Sequence, residues 1–139
     1  MKFWDASALV PLCLMESNTA AVRAILSRDP QIAAWWASPV ECWSAFARLR
    51  REGVIDLAGE EAARAILLAY QRAWNEISPG EEVRRHASRL LRFHPLRAHD
   101  ALQLAAALTW AGGADGSEAV ILDNRLREAA RLEGMAVLP

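Results

Sequence analysis

The sequence has little cysteine, no long apolar run and no excess of either charge. Its two cysteines, Cys13 and Cys42, have neither the spacing of a zinc site nor the pattern of a secreted disulfide scaffold. We expect both to be buried apolar residues in a reducing compartment. No run approaches the roughly 18 apolar residues that suggest a membrane span, and the N-terminus has no signal-peptide pattern. These absences predict a cytoplasmic protein without a membrane partner.

Positive and negative charges nearly cancel. The chain has 16 Lys and Arg residues and 17 Asp and Glu residues, which gives a formal net charge of -1. This balance argues against a broad electrostatic grip on nucleic acid, although it is compatible with a local basic patch. Arg48, Arg50 and Arg51 form a small basic cluster. We interpret it as a solvated helix face in preference to a track for an RNA backbone.

The length and the apolar content predict one folded domain. The 139 residues fit a single domain, residues 1–139, and 53% of them are hydrophobic, slightly above the usual share of about 45–50%. Short apolar segments alternate with segments of helical periodicity. Strands are apolar throughout when the helices of crossover connections cover both faces of the sheet. The order therefore predicts a three-layer α/β fold with a small, mostly parallel central sheet flanked by helices.

The predicted elements follow from apolar spacing and from helix start and stop signals. The predicted strands are residues 2–4, 31–36, 119–122 and 135–138. The predicted helices are residues 6–15, 19–27, 39–52, 59–75, 81–93, 95–111 and 125–132. Residues 77–80 are expected to form a link without regular structure.

Four acidic residues lie in otherwise apolar segments: Asp5, Glu41, Asp100 and Asp123. Asp5 and Asp123 directly follow predicted strands, and the other two lie in the first turns of predicted helices. Ligands of open α/β sheets bind beyond the carboxyl ends of the strands, so we expect the four acids to meet there. Carboxylates brought together repel one another unless cations neutralise them. An all-oxygen set suits Mg²⁺ or Mn²⁺.

Each of these acids also has a structural explanation. Asp5 and Asp123 can be helix N-caps, and acids in a first turn complement the helix dipole. Glu41 fits a capping box with Ser38. Asp100 is the hardest to explain in this way, because the apolar stretch AlaLeuGlnLeuAlaAlaAla follows it.

Two residues near Asp100 are candidates for contact with it. Arg97 precedes it by three residues, on roughly the same helix face, and we expect it to pair with Asp100 or to contact substrate phosphate. His99 is its neighbour in the chain, and adjacent side chains on a helix point apart. The three histidines, His86, His94 and His99, have no ligand spacing and are expected to be structural or exposed.

Nearly the whole chain resembles the PIN domain family, and within it the VapC-type toxin ribonucleases of toxin–antitoxin pairs. The segments that carry the resemblance are FWDASALV, SPVECWSAFARLRREG, LRAHDALQLAAAL and VILDNRLREAARLEGMAVLP. The third segment is the most specific. One position departs from the pattern, because the family often has Thr or Ser two residues before the last acid, where this chain has Ile121.

The resemblance implies a Mg²⁺-dependent endoribonuclease, with Mn²⁺ as a substitute. It implies the toxin of a type II pair, which hydrolyses phosphodiester bonds of structured RNA (tRNA or rRNA) and inhibits translation. The implied partners are this RNA, a small antitoxin protein and a second copy of the chain. Asp5 and Asp100 are the implied main metal ligands, which Glu41 and Asp123 assist directly or through water. The supporting or substrate-contacting residues are Ser7, Arg97 and Asn124, and Ser7 is expected to orient Asp5 or to be an ordinary helix-start serine.

Two alternatives remain at this point. A PIN-like module that binds RNA or protein with little catalysis is compatible with Ile121, although retention of four repelling acids argues against it. A haloacid-dehalogenase-like phosphatase also opens with a strand and an Asp, but it needs a second Asp where this chain has Ser7. A dinucleotide-binding fold lacks its glycine-rich turn, and a response-regulator receiver lacks its late lysine, since Lys2 is the only one.

Overall fold

Five short strands and seven helices make up the computed structural model, which describes residues 1–139. The strands are β1 (Lys2–Trp4), β2 (Ile32–Trp35), β3 (Asn75–Ile77), β4 (Glu118–Val120) and β5 (Ala136–Leu138). The helices are α1 (Ala6–Cys13), α2 (Thr19–Arg28), α3 (Ser38–Arg51), α4 (Leu57–Gln71), α5 (Glu81–Phe93), α6 (Ala98–Ala111) and α7 (Asn124–Leu132). None of the helices has the length and apolar character of a bilayer span.

The strands form one sheet in the order β3-β2-β1-β4-β5, and every pair of neighbours is parallel. β1 is central, with Phe3 in register with Ala33 on one side and Ala119 on the other. Because all strands run the same way, their carboxyl ends share one edge. The residues that follow β1 and β4 therefore lie side by side at that edge.

Helices cover both faces of the sheet. Successive side chains of a strand point to opposite faces, and on β1 the buried Phe3 and Trp4 belong to two different apolar clusters. Phe3 packs with Leu104 of α6 in the first cluster, and Trp4 packs with Phe46 of α3 in the second. The predicted three-layer α/β architecture is confirmed. Both cysteines are free and buried, as expected.

The sequence prediction was wrong about β3. Residues 72–75 were predicted as helix and residues 77–80 as an irregular link, whereas α4 ends at Gln71 and a strand runs over Asn75–Ile77. Only Ile77 of this strand is buried, because β3 is at the edge of the sheet. An edge strand with polar, exposed residues lacks the apolar run that identified the other strands.

Two helix starts also differ from the prediction. α4 begins at Leu57, before Gly59, because the carboxylate of Asp56 caps it by accepting the amide of Gly59 at 2.8 Å. α6 begins at Ala98, after Pro95, and its first turn is stabilised by the Asp100 carboxylate, which accepts the backbone N–H of Arg97 at 3.0 Å. In both cases a side-chain acceptor determines where the helix begins.

Candidate active site

Asp5 directly follows β1 and is the N-cap of α1. Its backbone N–H donates to the carbonyl of Val120 at 3.1 Å, which continues the pairing of β1 with β4. Its carboxylate accepts both the backbone N–H of Ser7, at 2.9 Å, and the Ser7 hydroxyl. The residue is only 4% exposed. Burial raises the pKa of Asp5, hydrogen bonds from Ser7 and Ala6 oppose the rise, and the nearby charge of Asp123 adds to it.

The Ser7 hydroxyl joins the first acid to the last. It donates to Asp5 and accepts the backbone N–H groups of Leu122, at 2.9 Å, and Asp123, at 3.3 Å. A hydroxyl has one proton and two lone pairs, so these three bonds use its full capacity. Ser7 therefore fixes the Asp5 carboxylate relative to the connection after β4.

Asp123 is exposed at the N-terminus of α7. Its carboxylate caps that helix by accepting the N–H of Leu126 at 2.9 Å, so Asp123 is the cap and Asn124 is the first helical residue. Ile121, the position where the family often has a hydroxyl, is 1% exposed within the apolar cluster that also contains Leu126. The side chain at position 121 contributes to the core, while the hydroxyl near Asp123 comes from Ser7.

Glu41 does not form the predicted capping box with Ser38. α3 begins at Ser38 without any side-chain cap bond, and the buried Ser38 hydroxyl contacts the side-chain amide of Gln103 on α6. The same amide donates from Nε2 to Oε1 of Glu41 at 2.9 Å. The sequence analysis did not select Gln103. The available signal was a glutamine within an apolar helical stretch, since a buried amide requires polar partners.

Asp100 is 8% exposed and accepts two contacts at the start of α6. One of its oxygens accepts the backbone N–H of Arg97 at 3.0 Å, and the other is 3.1 Å from Nε2 of His99. Arg97 therefore contacts Asp100 through its backbone N–H and not through its guanidinium, as the expected pairing required. The expectation that His99 points away was wrong, because the side chains meet where the helix begins and its geometry permits contact between neighbours.

The four acids influence one another electrostatically. Burial raises the pKa of Glu41 to about 7, the negative charges of Asp5 and Asp100 add to the rise, and the bond from Gln103 opposes it. Asp5 is coupled in turn to Asp123. None of these mutually repelling carboxylates forms a salt bridge with a lysine or an arginine, and such a set is chemically suited to a divalent cation. No three potential ligands stand close enough to hold one ion in the present side-chain arrangement.

Two surface clefts meet beside Glu41. Both are lined by Glu41, Ala45 and Arg48 of α3. One cleft continues to His99 and the other continues to Ser7. The basic cluster on α3 is thus divided, since Arg50 pairs with the buried Glu60 of α4 while Arg48 faces the clefts. Arg48 is the arginine of this cluster that can meet a ligand bound beside Glu41.

The parallel sheet and its carboxyl-edge acids define an α/β domain with an acidic site. The family model of the PIN domain matches residues 2–132 of the sequence, so the chain belongs to the PIN domain family. It is 33% identical over 141 residues to Ribonuclease VapC45 and to Ribonuclease VapC49, both from Mycobacterium tuberculosis strains. The alignments cover 99% of this chain and 94% of each relative.

Solved structures share the fold at low sequence identity. The crystal structure of Mycobacterium tuberculosis VapC20, a sarcin-ricin loop cleaving toxin, has a TM-score of 0.68 at 16% identity, covering 93% of this chain and 95% of VapC20. The crystal structure of FitAcB from Neisseria gonorrhoeae has a TM-score of 0.69 at 14% identity. The match covers 100% of this chain and 97% of the matched chain. The predicted PIN-like fold is confirmed by these similarities.

Proposed function

We propose that this protein is a Mg²⁺-dependent endoribonuclease and the toxin of a type II toxin–antitoxin pair, formed by one nuclease domain over residues 1–139. The proposal is carried by the position of Asp5 at the carboxyl end of the central strand β1, near Glu41, whose pKa is raised by the charges of Asp5 and Asp100 as well as by burial. Two relatives named as VapC ribonucleases, which align over nearly the full chain, support the same activity.

The donor set fits a hard divalent cation. Asp5 and Asp100 would hold Mg²⁺, with Glu41 and Asp123 contributing directly or through water, and Mn²⁺ would substitute. When bound, the metal supplies positive charge that polarises the scissile phosphate and lowers the pKa of water. Water provides part of the coordination, because Mg²⁺ usually retains several water ligands.

The surrounding residues orient the acids and the RNA. Ser7 holds the Asp5 carboxylate through its hydroxyl and its backbone N–H. Arg48 lines both clefts beside Glu41 and would contact the phosphates that flank the cleaved bond. Arg97 and Asn124 are exposed at the starts of α6 and α7. They would contact the RNA backbone at those positions. Hydrolysis would leave 5′-phosphate and 3′-hydroxyl ends.

The proposed substrate is a structured RNA, either tRNA or rRNA, whose cleavage inhibits translation. The near-neutral net charge favours recognition of a particular shape or loop over general affinity. VapC20, which shares the fold, is described as cleaving the sarcin-ricin loop. A small antitoxin and a second copy of this chain are the proposed protein partners, in the cytoplasm. Large apolar side chains exposed around the start of α3, Trp36, Val40 and Trp43, favour such partners.

A second candidate is a PIN module that binds RNA without cutting it. It is favoured by the side-chain arrangement, in which no three potential ligands converge on one position. The two candidates differ in one measurable property, because a binding module has no requirement for a cation. Binding of RNA without cleavage at saturating Mn²⁺ would select the module.

The experiment uses purified full-length protein, free of antitoxin, with total tRNA and rRNA fragments. We expect cleavage in Mg²⁺ or Mn²⁺, loss of cleavage with EDTA, and loss in Asp5→Asn and Asp100→Asn. Asp115→Asn is the matched control, because Asp115 is an exposed acid in a different cleft, lined by residues of α5 and of the segment before β5. Absence of both RNA cleavage and Mn²⁺ binding in the wild-type protein would refute the nuclease proposal.

A further inference from the structure

Gln103 is a deeply buried polar side chain close to the acids. It lies on α6, is 1% exposed, and forms side-chain bonds to two residues of α3. Its Nε2 donates to Glu41 at 2.9 Å and to the Ser38 hydroxyl at 3.1 Å. The Ser38 hydroxyl donates in return to the amide oxygen at 3.4 Å. Both N–H groups and the carbonyl of the amide are therefore satisfied, which a buried amide requires.

This amide connects two helices that otherwise pack on different neighbours. α3 packs mainly on α1 and α4, whereas α6 packs mainly on α5 and on β2. General helix packing therefore does little to set the position of Glu41 relative to Asp100. The bond from Gln103, one helical turn after Asp100, sets it directly. Gln103 does not contact Asp100 itself, but it ties the Glu41 carboxylate to the helix that carries Asp100.

The chemistry of the donor also matters. An amide N–H donates a hydrogen bond without positive charge, so it orients Glu41 while leaving the negative charge of the carboxylate available. A lysine or arginine at this position would neutralise Glu41 and would compete with a cation. The bond engages Oε1 of Glu41 and leaves Oε2 for a further ligand.

We propose that Gln103 is a positioning residue for the cation site, which acts through Glu41 and not by contact with RNA. The proposal rests on the proposed function, because it assumes that Glu41 contributes to binding of a divalent cation. Residues that orient a metal ligand typically affect metal affinity by about 10–100-fold when they are replaced. Gln103 should therefore affect cation affinity and turnover while leaving RNA affinity unchanged.

The test replaces Gln103 by methionine, which has a similar length but no amide. In Gln103→Met we expect Mn²⁺ affinity, measured by titration calorimetry without RNA, to fall about tenfold. We expect kcat to fall with it and KM for RNA to stay within twofold. Thr109→Val is the matched control on the same helix, because it removes only the hydroxyl bond to the Ala105 carbonyl. It should leave Mn²⁺ affinity and kcat unchanged.

A double-mutant cycle with Glu41→Ala separates positioning from a general folding defect. If Gln103 acts through Glu41, Gln103→Met should have no further effect on Mn²⁺ affinity once Glu41 is alanine. An equal loss in both backgrounds, or no loss in the wild-type background, would overturn the proposal. If Gln103→Met fails to fold, Ser38→Ala is the alternative test, because it removes the hydrogen bonds between the Ser38 hydroxyl and the Gln103 amide. Weaker Mn²⁺ binding by Ser38→Ala supports the inference, and unchanged binding refutes it.

The outcome distinguishes this inference from the proposed function. Wild-type protein that neither binds Mn²⁺ nor cleaves RNA refutes the nuclease proposal itself. Wild-type protein that does both, with a Gln103→Met variant that matches it, refutes only the role of Gln103.

Discussion

The hydroxyl of Ser7 accepts the backbone N–H of Asp123 at 3.3 Å, although 116 positions separate the two residues in the chain. The same oxygen donates to the Asp5 carboxylate. The first and last acids are therefore connected through one atom, and their separation depends on it. Ile121, the residue after β4, places its side chain in the apolar core, and the hydroxyl that contacts Asp123 is that of Ser7 on α1.

Removal of this hydroxyl should weaken both the fold and the site. Ser7→Ala leaves the N–H of Leu122 without its acceptor, in a partly buried position. We expect a loss of about 1–3 kcal/mol in the free energy of unfolding, which is the usual cost of an unsatisfied buried donor, and weaker Mn²⁺ binding. Urea unfolding and calorimetry measure the two effects. Ser88→Ala, at an exposed position on α5, is the control, and a Ser7→Ala variant as stable as the control would contradict this account.

The acid cluster should make stability depend on pH in metal-free protein. The folded-state pKa of Glu41, about 7, lies above its ordinary value of 4.5. Its contribution to stability is therefore fully present below about pH 4.5 and is lost as the pH rises through about 7. Asp5, whose pKa is also raised, acts in the same direction. Urea unfolding at several pH values should show a smaller decline in Glu41→Gln, and identical slopes in both proteins would refute the assignment.

Arg48 and Arg51 should differ in their effect on RNA binding. Both belong to the basic cluster of α3, but only Arg48 lines the clefts beside Glu41. Arg48→Ala should weaken RNA binding and reduce the slope of log affinity against log salt by about 0.7–0.9, the value for one phosphate contact. Arg51→Ala is the matched control, with an unchanged slope. Binding is measured in EDTA to prevent cleavage, and equal slopes in the two variants would exclude a phosphate contact from Arg48.

Introduction of a hydroxyl at position 121 should not improve the site. Ile121 is buried among apolar side chains, so Ile121→Thr removes apolar volume and buries a hydroxyl. We expect the free energy of unfolding to fall by about 1–3 kcal/mol. Ile121→Val, which should lose about 0.5–1.5 kcal/mol, controls for the volume change. Stronger Mn²⁺ binding by Ile121→Thr would show that the side chain at this position reaches the acids.

The sequence predicted the architecture well where strands were buried. The segments predicted as strands at 2–4, 31–36 and 119–122 contain β1, β2 and β4. Asp5 directly follows β1 as predicted, whereas Ile121 and Leu122 separate Asp123 from the end of β4. The edge strand β3 escaped prediction because Asn75 and Glu76 are exposed and polar. Its partner β2 stabilises it, and local sequence does not encode such a contact.

The contacts between acids and their neighbours were less predictable. Ser38 and Glu41 fit a capping box by their spacing, but the buried Gln103 from a distant helix bonds to both side chains instead. His99 reaches Asp100 because the helix is only beginning at that point. Spacing along the chain describes contacts within one element, whereas these contacts depend on how separate elements meet.

The helix-capping roles of Asp5 and Asp123 have an evolutionary consequence. Selection for folding alone would keep a capping residue at both positions, even in a descendant that had lost nuclease activity. Glu41 differs, because the only hydrogen bond of its carboxylate comes from the side chain of Gln103 and no helix start depends on that carboxylate. Among related chains, a paired loss of Glu41 and Gln103 would therefore mark lineages in which the site is no longer maintained, while the two aspartates persist.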